Sequence, residues 1–147
     1  MQLALQEAQQ AFEEDEVPVG CVIVHNMGNS FVVSTRNLMQ QTKNPNSHAE
    51  ILAINRACLE LGNKNLSECD IYITLEPCTM CAAAIANARL RRVYYAAADT
   101  KQGAVENGVR FFNSSSCFHR PEIYTGILEE ESVNLMQKFF NNIRNRS

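Results

Sequence analysis

Four residues carry the chemistry this sequence can offer: His48, Glu50, Cys78 and Cys81. Cys78 and Cys81 stand three apart in "EPCTMCAAA", so on a helix they share one face. Pro77 suits a helix start, where the N–H that proline lacks would have no partner anyway. The positive end of a helix dipole lowers a thiol pKa and favours the thiolate that a metal requires. Taken alone, the pair also fits a redox dithiol or two core cysteines. His48, in "NSHAEILAI", opens a second helix after a polar loop. Two such helix starts can converge at one edge of an open α/β sheet. One histidine and two cysteines give three protein ligands and leave a fourth position free, the pattern of a catalytic zinc and not of a closed structural one.

Glu50 has two readings. Ser47-x-x-Glu50 fits a capping box, which stabilises a helix start without any catalysis. Alternatively it is a base. Two thiolates and a neutral imidazole cancel the charge of a dication and acidify water less than three neutral histidines would, so a carboxylate two residues from a ligand is useful. Met80, between the cysteines, reads as packing.

The elements that must position these groups follow from periodicity. Residues 2–14 have a loose helical period, and 17–24 ("VPVGCVIV") read as a buried strand. "HNMGNS" is a turn, and "FVVSTR" (31–36) returns as the second strand of a hairpin. Residues 37–46 form a polar loop, 48–61 a helix stopped by Gly62, and 70–75 a strand. An alanine-rich helix spans 78–90, a strand 91–97, and a long irregular segment 99–121. A short strand at 122–127 and a helix at 129–144 close the chain. Alternating helices and strands predict a mixed sheet covered on both faces, with parallel neighbours from the strand–helix–strand unit at 70–97.

The 147 residues suggest one domain, 1–147. Hydrophobic residues make up 46% and charged residues 20%, an ordinary soluble composition. No apolar run approaches the roughly 20 residues that span a bilayer. The N-terminus lacks the basic start and apolar core of a signal peptide, so a cytoplasmic location with reduced thiols is expected. Cys21 and Cys58 read as buried apolar residues, Cys69 and Cys117 as loop residues, and Arg89, Arg91 and Arg92 as a solvated helix end. Net charge is −3, so any RNA binding must use a local patch.

The string H-A-E (48–50), followed after residues 51–76 by P-C-x-x-C (77–81), matches the H-x-E…P-C-x-x-C signature of zinc nucleobase deaminases. The chain resembles the cytidine deaminase superfamily. Within it, "EVPVG" (16–20), "NSHAEILAI" (46–54), "TLEPCTMCAAAI" (74–85), "DTKQGA" (99–104), "HRPEIYTGI" (119–127) and "FF" (139–140) are similar to the bacterial tRNA adenosine deaminases, which convert wobble adenosine to inosine. The resemblance implies a three-layer α/β/α sandwich with a five-stranded mixed sheet, a homodimer, and a tRNA anticodon loop as substrate. It implies zinc on His48, Cys78 and Cys81, with Glu50 moving protons. It also implies that Asn37 hydrogen-bonds the base and the Ala49 N–H meets the ring. Pro18 and Val19 would wall the pocket, and Asp99 and Lys101 would lie on an RNA-facing loop. Phe139, Phe140, Arg144 and Arg146 would lie near the RNA. Many bacterial members continue "GA" with small residues ending in Gly-Ser-Leu, whereas this chain has "GAVENGVRFF". A small-molecule deaminase for guanine, cytosine or a nucleotide would use the same zinc chemistry. A zinc-containing binding subunit without activity is a third class, against which the presence of Glu50 argues.

Overall fold

The computed structural model describes residues 1–26 and 30–146. Along them run α1 (Gln2–Glu13), β1 (Gly20–His25), β2 (Ser30–Arg36), α2 (Met39–Thr42), α3 (Ala49–Leu61), β3 (Cys69–Leu75), α4 (Thr79–Ala88), β4 (Arg92–Ala97), β5 (Glu122–Thr125) and α5 (Glu129–Arg146). The strands form one five-stranded sheet in the order β2-β1-β3-β4-β5. β1 is antiparallel to both β2 and β3, whereas β3, β4 and β5 are mutually parallel. The mixed sheet and the parallel β3–β4 pair agree with the sequence expectation. The tip of the β1–β2 hairpin lies outside the described residues.

The period of two in β3 separates the two faces. Ile71 and Ile73 join Ala53, Ala57, Ala82 and Ile85 of α3 and α4 in the main core. Tyr72, between them, stacks on Tyr94 at 4.4 Å, and Tyr94 stacks on Tyr124 at 5.0 Å. Helices α1 and α5 touch each other and pack on the sheet, and α3 and α4 touch each other, so the sheet lies between two helical layers. The approach of α1 is very close. A Cβ at Gly20 would fall 1.9 Å from the Ala4 carbonyl oxygen, and α1 turns the buried Ala4, Ala8 and Ala11 inward. Only residues without bulk permit that contact.

Several boundaries differ from expectation, each for a tertiary reason. β1 begins at Gly20 and leaves Val17, Pro18 and Val19 as its lead-in; proline has no N–H to give a ladder. The polar loop after β2 contains α2, whose first turn is held from outside: the buried Glu16 carboxylate accepts the Gln40 and Gln41 N–H groups at 2.9 and 2.8 Å. α4 stops at Ala88, with Arg89 left-handed at φ 60° and the next residue, Leu90, fully buried. α3 ends as expected on Gly62, at φ 61°. Cys69 is not in a loop but is the buried first residue of β3. Of the three arginines, Arg89 is exposed, while Arg91 pairs with Asp70 at 2.7 Å and Arg92 with Glu122 at 2.8 Å.

Topology then assembles the site. The register pairs Gly20 with Arg36 and Cys21 with Ile73, so the start of β1 and the ends of β2 and β3 share one edge. Leu75 pairs with Ala97, which brings the end of β4 to that edge as well. The segments entering or leaving there are 16–19, 37–48, 76–78 and 98–107, and they carry most of the residues singled out above.

Candidate metal centre and active site

His48 and Cys78 are each the N-cap residue of a long helix, α3 and α4 respectively, and Cys81 lies one turn into α4. Both caps are extended, at ψ 150° and 176°, as N-cap residues usually are. His48 Nδ1 lies 3.6 Å from Cys78 Sγ and 3.5 Å from Cys81 Sγ. All three donor atoms lie within 4.8 Å of one another, so the group could hold a metal ion. The spacing can be tested against the geometry of the ion expected. Bonds of about 2.3 Å to sulfur and about 2.0–2.1 Å to nitrogen at a tetrahedral centre put the two ligand atoms roughly 3.5–3.6 Å apart. The donor set fits zinc in type and in spacing.

The three groups perturb one another strongly. Hydrogen bonding from Cys81, assisted by His48, pulls the Cys78 thiol down to about 4. Its thiolate and burial drive Cys81 far upward. Its hydrogen bond with Cys78 raises His48. Two adjacent thiols thus lose the first proton easily and the second only with an added positive charge.

Glu50 lies beside this cluster and is buried. Desolvation lifts its carboxyl to about 7, and its neighbours are its own backbone N–H, His48, Cys78 and Cys81. The capping-box reading fails in this geometry. The N-cap is His48 and not Ser47, which puts Glu50 at the second helical position, and the His48 side chain makes no cap hydrogen bond. The Ser47 hydroxyl instead lies 2.9 Å from that of Thr42.

The missing cap comes from another element. Asn37 Oδ1, at the end of β2, accepts the Ala49 N–H at 2.8 Å. Thr35 Oγ1 donates to the Ala49 carbonyl at 2.7 Å, so β2 grips the first turn of α3 from both sides of one residue. The Ala49 N–H, expected to meet the ring, is here given to Asn37. Among the described residues no hydrogen bond engages the Asn37 amide nitrogen.

Pro18 and Val19 are buried at the same sheet edge, where the Val19 carbonyl accepts the Asn37 N–H at 3.1 Å. The Asp99–Ala104 segment runs alongside the start of α4: Gly103 bridges Cys78, and the Ala104 N–H donates to the Pro77 carbonyl. Asp99 Oδ1 accepts the N–H groups of Lys101 and Gln102, and both of those side chains are exposed. Phe139 is buried edge-on against Phe12, whereas Phe140 is 42% exposed, as adjacent helical positions require. Glu16 and Glu76 were missed in the sequence. Each is a buried carboxylate that organises a loop at this edge. Their one common sign is an acidic residue leading into a proline-containing turn, "EVP" and "EP".

A mixed five-stranded sheet with a His-Cys-Cys group at its edge and a buried carboxylate beside it defines a class, the zinc-type deaminases of bases and nucleosides. The chain belongs to the MafB19-like deaminase family, which residues 1–144 match. It is 54% identical over 144 residues to a tRNA-specific adenosine deaminase of Rickettsia typhi, covering 98% of this chain and 97% of that one. A solved structure from work on A-to-I editing by tRNA:A34 deaminases at the wobble position superposes with a TM-score of 0.89 at 49% identity. That match covers 92% of this chain and 96% of the other. A guanine deaminase from Bacillus subtilis superposes with a TM-score of 0.63 at 30% identity, over 95% of this chain and 90% of that chain.

Proposed function

We propose that the chain hydrolyses adenosine to inosine at the wobble position of tRNA, as a zinc enzyme. The carrying observation is the Glu50 carboxylate, buried beside the His48, Cys78 and Cys81 donors in the first turn of α3. A zinc ion on those three residues would supply Lewis-acid activation of a water molecule near neutral pH. Glu50 takes a proton from the attacking water, delivers it to the purine ring nitrogen next to C6, and then serves the departing amine. The C–O bond forms at C6, the C–N bond to the exocyclic amine breaks, and ammonia leaves. The Asn37 amide donates to the base edge while its oxygen keeps Ala49 and the α3 start in place. Pro18 and Val19 exclude water from one side of the base.

The preference for RNA rests on the surroundings of the pocket. Asp99 and Lys101, together with Phe140, Arg144 and Arg146, lie on segments that reach solvent and can meet splayed bases and phosphates. No helix among the described residues is long and apolar enough to cross a membrane. The chain works as a single deaminase domain in the cytoplasm, and as a homodimer; exposed apolar side chains such as Leu59, Val109 and Phe118 are available to a second copy. The test offers an anticodon stem-loop bearing the wobble adenosine, free guanine and free cytidine side by side. Conversion of the stem-loop with weakening at rising salt is expected. Efficient turnover of guanine or cytidine with the stem-loop untouched overturns the reading in favour of a small-molecule deaminase.

A further inference from the structure

Glu76 lies between the end of β3 and the metal-ligand turn Pro77–Cys78, and its side chain is buried. Among the described residues no cation pairs with it. Instead its two oxygens collect five N–H donors, all from residues 99–107. Oε1 accepts the Asp99 backbone N–H at 3.0 Å and the Asn107 side-chain amide at 2.7 Å. Oε2 accepts the backbone N–H groups of Val105, Glu106 and Asn107 at 3.0, 3.0 and 3.1 Å. A buried charge without a counter-ion persists only when hydrogen bonds replace its hydration, and this cradle does so.

The loop is shaped around that carboxylate. A Cβ at Gly103 would fall 2.5 Å from the Glu76 carboxyl carbon, and one at Gly108, where φ is +58°, would fall 2.4 Å from the Gly103 carbonyl oxygen. Tyr95 Oη adds a second tether, donating to Glu106 at 2.6 Å. The residues that supply most of these bonds, Val105 to Asn107, belong to the "GAVENGVRFF" stretch. That stretch is thus a tied loop, and the tie is made two residues from Cys78.

We propose that Glu76 is a positioning residue for substrate: it fixes the 99–107 loop, and with it the exposed turn of Asp99, Lys101 and Gln102, in the shape that meets the RNA strand beside the metal centre. The inference rests on the RNA-loop reading of the site. Glu76→Gln is the sharp perturbation. It is nearly isosteric, but an amide accepts at one oxygen only. Whichever way it turns, its NH2 group faces two or three N–H donors that lose their acceptor.

The experiment compares wild type, Glu76→Gln and Asn107→Ala for zinc content, steady-state kinetics on the anticodon stem-loop, and amide exchange across 99–107. In Glu76→Gln, KM is expected to rise about tenfold or more, with kcat within about threefold and zinc content unchanged. The amides of Asp99, Val105, Glu106 and Asn107 should exchange faster. Asn107→Ala, which loses one bond from the loop side, should move KM and exchange in the same direction by less; it carries the test should the glutamine variant not fold. An unchanged KM in an active, zinc-loaded variant overturns the inference alone. Loss of zinc with kcat falling and KM steady also overturns it, since Glu76 would then serve the metal. A wild-type enzyme inert on the stem-loop counts against the underlying reading, a result separate from either.

Discussion

Asn37 is the residue whose two roles can be separated by mutation. Its oxygen takes the Ala49 N–H at 2.8 Å, and Ala49 is completely buried. Asn37→Ala leaves that N–H with no acceptor and no access to water, which costs about 1–3 kcal/mol. The range overlaps that for losing an N-cap, about 0.5–2 kcal/mol. In a chain of this size each kcal/mol moves Tm by about 2–4 °C, so Asn37→Ala should melt roughly 2–12 °C below wild type. Asn37→Asp keeps the acceptor and its favourable place at a helix start, and removes only the amide donor. It should recover most of the lost Tm yet remain poorly active. Thermal denaturation and turnover of an adenosine-bearing stem-loop, measured on zinc-loaded protein, separate the two. A melting temperature for Asn37→Ala within one degree of wild type would refute the reasoning, because the orphaned donor would then be harmless.

Further outcomes follow from the same geometry. Wild type should carry about one zinc per chain, as a three-ligand site requires, and Cys78→Ser and Cys81→Ser should each lose it and melt lower; metal analysis of the purified proteins checks this, and full metal content in both variants would remove them from the ligand set. Gly20→Ala pushes a methyl into the Ala4 carbonyl, 1.9 Å from the new Cβ, and forces α1 off β1. It should destabilise by about 1–3 kcal/mol or more, as overpacking does, and chemical denaturation that shows no change would sink the close-contact account.

What was legible in the sequence was what is local. The His48 and Cys78 positions at helix starts, the Gly62 stop and the parallel pairing of β3 with β4 follow from spacing and from turn residues a few positions away. What was hidden depends on hydrogen bonds between residues far apart in the chain. Glu16 holds α2 from across the sheet edge, Asn37 caps α3 in place of Ser47, and Glu76 gathers residues 99–107. None of these leaves a periodic trace. A buried carboxylate and an exposed one have the same letter, and only the fold shows that backbone N–H groups surround it. The capping-box motif misled for the same reason: its letters were present, but the N-cap falls on His48, and the Ser47 N–H goes to the Asn44 carbonyl. Arg91 and Arg92 looked like solvated charges because Asp70 and Glu122 reach them only through strand register.

The central claim is that Glu50 moves protons beside the metal held by His48, Cys78 and Cys81. Its most direct test is the single-turnover rate of Glu50→Gln on the wobble-adenosine stem-loop, with zinc content determined on the same sample. The substitution keeps the volume and leaves the Asn37–Ala49 hydrogen bond at the α3 start in place. General acid–base catalysis contributes about 10²–10⁴-fold, and one carboxylate here handles successive transfers, so a fall of about 10³-fold or more is expected with zinc retained. A zinc-loaded Glu50→Gln enzyme that turns over within tenfold of wild type would contradict the account.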